Sequence, residues 1–181
     1  RAMTELEKML AGETYDFTAP DVAESLRRRR VNLARFNATS FDDPHYEEAL
    51  SALIPHRAPT ARIMPPFYCD HGHPIHLGEG VFINANCTFL DGGGITIGAH
   101  TLIGPNCQLY TPQHPMDYRE RRQGIEQCKE IAIGDDCWIG GGAVICPGVI
   151  LGQRVVVGAG SVVTKSFPDA VVVAGNPARV I

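Results

Sequence analysis

Twelve residues spaced by six constrain this chain more than any other feature. Leu77, Ile83 and Phe89 are followed, after a two-residue slip at Asp91-Gly92-Gly93-Gly94, by Ile97, Ile103 and Leu109. The same phase returns at Ile133, Ile139, Ile145, Leu151, Val157 and Val163. All of these stations are apolar in a chain that is 44% hydrophobic, so composition alone does not produce the pattern. A period of six is neither the 3.6 of a helix nor the 2 of a half-buried strand. It is the mark of a repeat that stacks on itself.

The neighbouring positions repeat with it. Glycine follows the station at 78, 98, 104, 134, 140, 152 and 158. Four residues after the station stand Val81, Cys87, Thr101, Cys107, Cys137, Ala143, Val149, Val155 and Ser161, all small or β-branched. Each unit therefore reads as a short strand and a tight corner. The station points inward, a small residue fits the narrow corner, and Gly, Asn or Asp takes the left-handed turn. Three units close one coil, and coils stack through parallel hydrogen bonds into a mainly β triangular solenoid.

The first 65 residues lack the period and read as a helical cap. Thr4 to Leu10 is a short helix stopped by Ala11-Gly12, and Asp21 to Phe36 is a second, entered through Pro20. A third starts at Asp42 or Asp43 and stops at Pro55. Such a cap is expected, because an open coil end exposes strand edges and apolar core. Residues 110 to 130 interrupt the solenoid and are polar, so they read as a projecting loop; the repeat alone leaves open whether that loop is functional or decorative. His114 begins it, and histidine is the usual general base near neutral pH.

Other classes are less well supported. Formal net charge is −4, which provides no global field for nucleic acid. The run Arg27 to Arg30 reads as a solvated helix face. No apolar stretch is long enough for a membrane helix, and the N-terminus lacks a signal peptide's apolar segment. Met3 reads as a natural start, and a cytoplasmic location follows by default. Six cysteines form no CxxC pair, so buried thiols acting as small apolar residues are expected.

The segments TPQHPMDYRERR, IGDDCWIGGGAVICPGVILG and VVVGAGSVVTKSFPDAVVVAGNPARVI resemble the maltose, galactoside and nodulation-type O-acetyltransferases of the hexapeptide-repeat superfamily. EKMLAGETYD and CDHGHPIHLG resemble the same group, so the likeness covers nearly the whole chain. It implies a left-handed parallel β-helix over 66–181, a cap over 1–65 that contributes to the acceptor site, and a homotrimer with active sites between copies. It implies direct transfer of acetyl from acetyl-CoA to a sugar hydroxyl, with no metal and no acetyl-enzyme. His114 matches the catalytic base, and Glu126 falls near an acidic position suited to orienting it. Asp16, Asp70, Asn84 and Asp91 match acceptor positions, although Gly92 stands where some relatives carry a second acid. Asn84, Trp138, Gly141, Ala159, Thr164, Lys165 and Arg179 match positions that contact acetyl-CoA. The Gly141 N–H is then a candidate oxyanion donor, and Lys165 and Arg179 candidate phosphate partners.

Three other readings compete. His71, His73 and His76 invite a zinc site like that of γ-class carbonic anhydrases, which share this solenoid but draw ligands from separate coils at other spacings. A non-catalytic scaffold would not need the His-Pro loop. An N-acetyltransferase acting on an amino sugar or antibiotic shares the solenoid and the histidine but usually lacks the cap.

Overall fold

The computed structural model describes residues 1–181. Its body is a parallel β-helix with three walls. The chain meets the first wall at His56–Arg57, Ile75–Leu77, Ile95–Ile97, Ile131–Ile133 and Ile150–Leu151. The second holds Arg62–Ile63, Phe82–Ile83, Leu102–Ile103, Trp138–Ile139 and Val156–Val157, and is extended by a C-terminal hairpin of Val172–Gly175 and Ala178–Val180. The third holds Phe67–Cys69, Cys87–Leu90, Gln108–Tyr110, Val144–Ile145 and Val162–Val163.

All twelve stations are buried, as are the nine small residues four places on. Apart from Thr101 and Ser161, they form with cap residues one continuous apolar core. The thiols of Cys87, Cys107 and Cys137 sit among them and donate to the corner carbonyls of Gly104, Gly140 and Gly152 at 3.2, 3.2 and 3.1 Å. The glycines after the stations serve stacking. A Cβ on Gly98 would lie 2.5 Å from the Asp135 nitrogen, so a larger residue there would push the next coil away. The left-handed turns are made elsewhere, at Gly80, Gly142, Gly148 and Gly160 and at Asn86, Asn106 and Asp136, but also at His100, Arg154 and Ala170, so the Gly/Asn/Asp expectation holds only in part.

The cap has three helices: α1 (Glu5–Leu10), α2 (Pro20–Asn37) and α3 (Tyr46–Leu53). The third begins later than Asp42 or Asp43. Pro44 disfavours helix at Asp43, whose carboxylate instead accepts the His45 N–H at 2.7 Å. The prism also begins before residue 66, since His56–Arg57 and Arg62–Ile63 already pair with the next coil. Arg57 holds the station place there and donates to the Ala61 carbonyl at 2.9 Å, which hides the repeat from an apolar count.

Cap side chains stand in for the missing coil below. Tyr46 Oη accepts the Ile63 N–H at 2.8 Å and donates to the Ile63 carbonyl at 2.5 Å. Asn37 does the same for Phe67, at 2.9 and 2.8 Å. Arg29 is buried, contrary to the solvated-face reading of its run: it donates to the Asp70 carbonyl at 2.8 Å and lies over the Tyr68 ring.

Candidate active site

The chain departs from the six-residue period at 70–74, 91–94 and 111–130, and all three departures fall at the corner between the third and first walls. Stacking places them over one another. Asp91 ties the lower two together: its carboxylate accepts the N–H groups of Asp70, His71 and Gly72 at 3.1, 2.9 and 2.7 Å. It is fully buried, and that burial pushes its carboxyl up to about 7 against the three donors that favour the anion. The expected acceptor contact is therefore corrected: Asp91 has no face towards solvent and shapes the corner from beneath. Thr111 ties in the third departure, accepting from the Gly93 N–H at 2.9 Å and donating to the Leu90 carbonyl at 2.7 Å.

The insertion is a hairpin rather than an irregular loop. Pro112–Gln113 and Ile125–Cys128 run antiparallel, with the single-turn helix α4 (Tyr118–Arg121) at the tip. The Tyr15–Asp16 strand of the cap adds to its free edge, setting Tyr15 opposite Glu126 and Asp16 opposite Ile125. A small apolar cluster of Met9, Tyr15, Ala19, Val22 and Cys128 seals the junction.

Between hairpin, corner and α2 lies a cavity of about 180 Å³. His114 and Glu126 come from the hairpin, Asp70 and His71 from the corner, and Leu26 from the cap. His114 Nδ1 lies 3.6 Å from Glu126 Oε2; the imidazole is 55% exposed and the carboxylate 13%. Phe17 meets the imidazole edge-on with ring centroids 6.1 Å apart. Tyr15 donates its phenol to the other Glu126 oxygen. Burial, and then that hydrogen bond to Glu126, raise the phenol, so Tyr15 stays protonated. Burial likewise raises the Asp70 carboxyl, with Arg29 pulling the other way. Cys128 Sγ lies 3.7 Å from the phenol oxygen, and burial pushes its thiol up to about 11.

Of the expected acceptor residues, Asp70 and Glu126 thus meet His114. Asp16 does not line the cavity: its carboxylate accepts from the Thr18 N–H and hydroxyl at 2.8 and 2.6 Å. Asn84 lies at a different corner, between the second and third walls, with Oδ1 accepting from the Ala85 N–H at 2.8 Å. Gly141 and Ala159 stack at that same corner, where Gly160 donates to the Gly141 carbonyl at 2.9 Å. The Gly141 N–H donates to no acceptor in the chain. Trp138 projects from the second wall, 58% exposed, and Arg179 lies on that wall's last strand. Thr164 and Lys165 share the His114 corner but sit two coils further along.

Tyr15, Phe17 and Cys128 were not singled out from the sequence as site residues. The only hint is that Tyr15 and Phe17 stand two apart, on one side of an extended segment. The histidines at 71, 73 and 76 do not converge. Ser25 Oγ lies 2.7 Å from His71 Nδ1 and 3.1 Å from His73 Nε2, while His76 stacks on His56 along the first wall. No helix is long and apolar enough to cross a membrane.

Comparison with known proteins agrees with this architecture. Residues 8–56 match the maltose acetyltransferase hexapeptide capping motif, and residues 130–165 the hexapeptide repeat of succinyl-transferase. Nodulation protein L of Rhizobium meliloti (strain 1021) is 43% identical over 178 residues, covering 98% of this chain and 97% of that protein. A maltose O-acetyltransferase from Clostridium difficile 630 superposes with a TM-score of 0.91 at 40% identity, covering 100% and 97% of the two chains. A hexapeptide-repeat acetyltransferase from Vibrio cholerae O1 biovar eltor, solved with acetyl coenzyme A, gives 0.89 at 40% identity over 99% and 97%. The matched cap and hexapeptide repeat, with likeness along nearly the full length of these proteins, place the chain in the hexapeptide-repeat acetyltransferases, among the maltose, galactoside and nodulation-type O-acetyltransferases with their left-handed β-helix.

Proposed function

We propose that this chain transfers the acetyl group of acetyl-CoA to a hydroxyl of a small neutral sugar, with His114 as general base. The pairing of His114 Nδ1 with the Glu126 carboxylate carries the reading. A carboxylate facing Nδ1 keeps the proton there and leaves the Nε2 lone pair free to take one. Asp70 on the cavity wall offers directional acceptors for sugar hydroxyls, and the matched capping motif favours the O-acetylating branch over the N-acetylating one.

Acetyl-CoA supplies the acyl group as a thioester. His114 Nε2 takes the acceptor's proton as its oxygen bonds to the acetyl carbon. The Gly141 N–H, unpartnered in this chain, is the proposed donor to the carbonyl oxygen as charge develops there. The C–S bond then breaks, and His114 returns the proton to the thiolate. Holding both reactants together makes the step effectively unimolecular, and no acetyl-enzyme forms.

In one copy His114 and Gly141 occupy different corners of the prism, so a second copy is needed to bring Asn84, Trp138, Gly141 and Ala159 to the hairpin. The outer face of the second wall suits such packing: Phe82, Leu102, Trp138, Val156 and Val172 stand in register as an apolar stripe. A homotrimer closes this arrangement. Thr164, Lys165 and Arg179 are then available to the nucleotide end of acetyl-CoA, the two cations to its phosphates.

The test is incubation with acetyl-CoA and a panel of maltose, glucose, galactosides and amino sugars, with products identified by mass spectrometry and NMR. An O-acetyl ester of a neutral sugar, formed one-for-one with free CoA, is expected. Amide formation on amino sugars alone would establish the N-acetyltransferase reading instead.

A further inference from the structure

We infer that Tyr15 is a positioning residue for His114, acting from the cap through Glu126. This inference rests on His114 being the base. The geometry is a three-part relay. Tyr15, 3% exposed, donates its phenol to one oxygen of Glu126, and the other oxygen faces His114 Nδ1 at 3.6 Å. A carboxylate whose two oxygens have separate partners is held in one rotamer. Its outer oxygen is thereby aimed, and the imidazole tautomer is fixed with the proton on Nδ1. The register of the added strand sets this up, because Tyr15 is the residue paired with Glu126 across 111 positions of sequence. Phe17, just past the end of that strand, meets the imidazole edge-on. One short segment of the cap, residues 15–17, thus touches both the carboxylate and the ring.

The other titratable groups around the relay do not supply this link. Asp70 lines the same cavity and feels the Glu126 charge without a hydrogen bond to it, and His71 is engaged with Ser25. Glu120 lines a neighbouring cavity that His114 and Glu126 also border, and it hydrogen-bonds to neither. Cys128 touches the phenol and is a neutral thiol. Tyr15 is the one hydrogen-bond donor from the cap to Glu126.

The experiment compares wild type, Tyr15→Phe, Glu126→Gln and the double variant, with His114→Gln used to assign the His114 ring nitrogens in ¹⁵N NMR. At mildly alkaline pH the wild-type ring is expected as the Nδ1–H tautomer. Tyr15→Phe shifts the population towards Nε2–H and lowers kcat by about tenfold with KM for acetyl-CoA unchanged. In the Glu126→Gln background, Tyr15→Phe has no further effect on either readout. The inference is overturned if Tyr15→Phe leaves the tautomer unchanged, or if its effect is as large without Glu126 as with it. The tautomer measurement needs no turnover. A relay seen by NMR in a protein that acetylates no sugar refutes the proposed reaction and leaves the relay standing.

Discussion

His114 and His71 line one cavity and differ in exposure: the first ring is mostly in solvent, the second 8% exposed. Burial, with smaller contributions from His73 and Arg29, pushes His71 down to about 3, so the folded protein keeps it neutral. The unfolded chain takes up a proton near the ordinary value of 6.5. His71 therefore supports the fold fully above about pH 6.5, and its contribution is lost as pH falls from there towards 3. Urea midpoints at pH 7.5 and 5 test this: wild type should lose more stability between them than His71→Gln, and equal losses would refute it. Asp91 has the opposite sign over part of this range, so the comparison between the two proteins is the informative quantity. The residue scale is also where the sequence was least legible. His114 was visible from its place beside the interruption, but Tyr15, Arg29 and the true task of Asp91 depend on partners 19 to 111 positions away. No local pattern encodes such partners.

At the scale of elements, the walls were readable because each strand repeats the same inward chemistry, and the glycines follow from the backbone of the next coil. The end of the solenoid was harder. There the apolar station gives way to Arg57, and side chains of α2 and α3 replace a hydrogen-bonding neighbour. Tyr46→Phe removes both partners of Ile63 in a buried setting and should cost about 1–3 kcal/mol in chemical unfolding. An unchanged midpoint would mean that water serves that edge equally well. Glycines make a second contrast. A Cβ on Gly104 would lie 2.6 Å from the Gly141 nitrogen, whereas one on Gly160 meets nothing within 4 Å, although its φ is +70°. Gly104→Ala should therefore destabilise the protein more than Gly160→Ala, where the cost is the left-handed backbone alone, about 1–2 kcal/mol.

At the scale of the molecule, one prism carries His114 at one corner and the unpartnered Gly141 N–H at another, so the proposed reaction requires assembly. Leu102, half exposed in the middle of the apolar stripe, is the place to test this. Leu102→Glu should sediment as single copies and lose turnover while His114 and its relay stay intact; a variant that is monomeric and fully active would refute shared sites. The role of His114 itself is best tested by comparing acetyl-CoA consumption by wild type and His114→Ala at saturating sugar, with acetyl-CoA affinity measured alongside. A fall in kcat of roughly 10²–10⁴ at unchanged affinity is expected of a lost general base. Turnover that survives the substitution would remove the imidazole from the reaction.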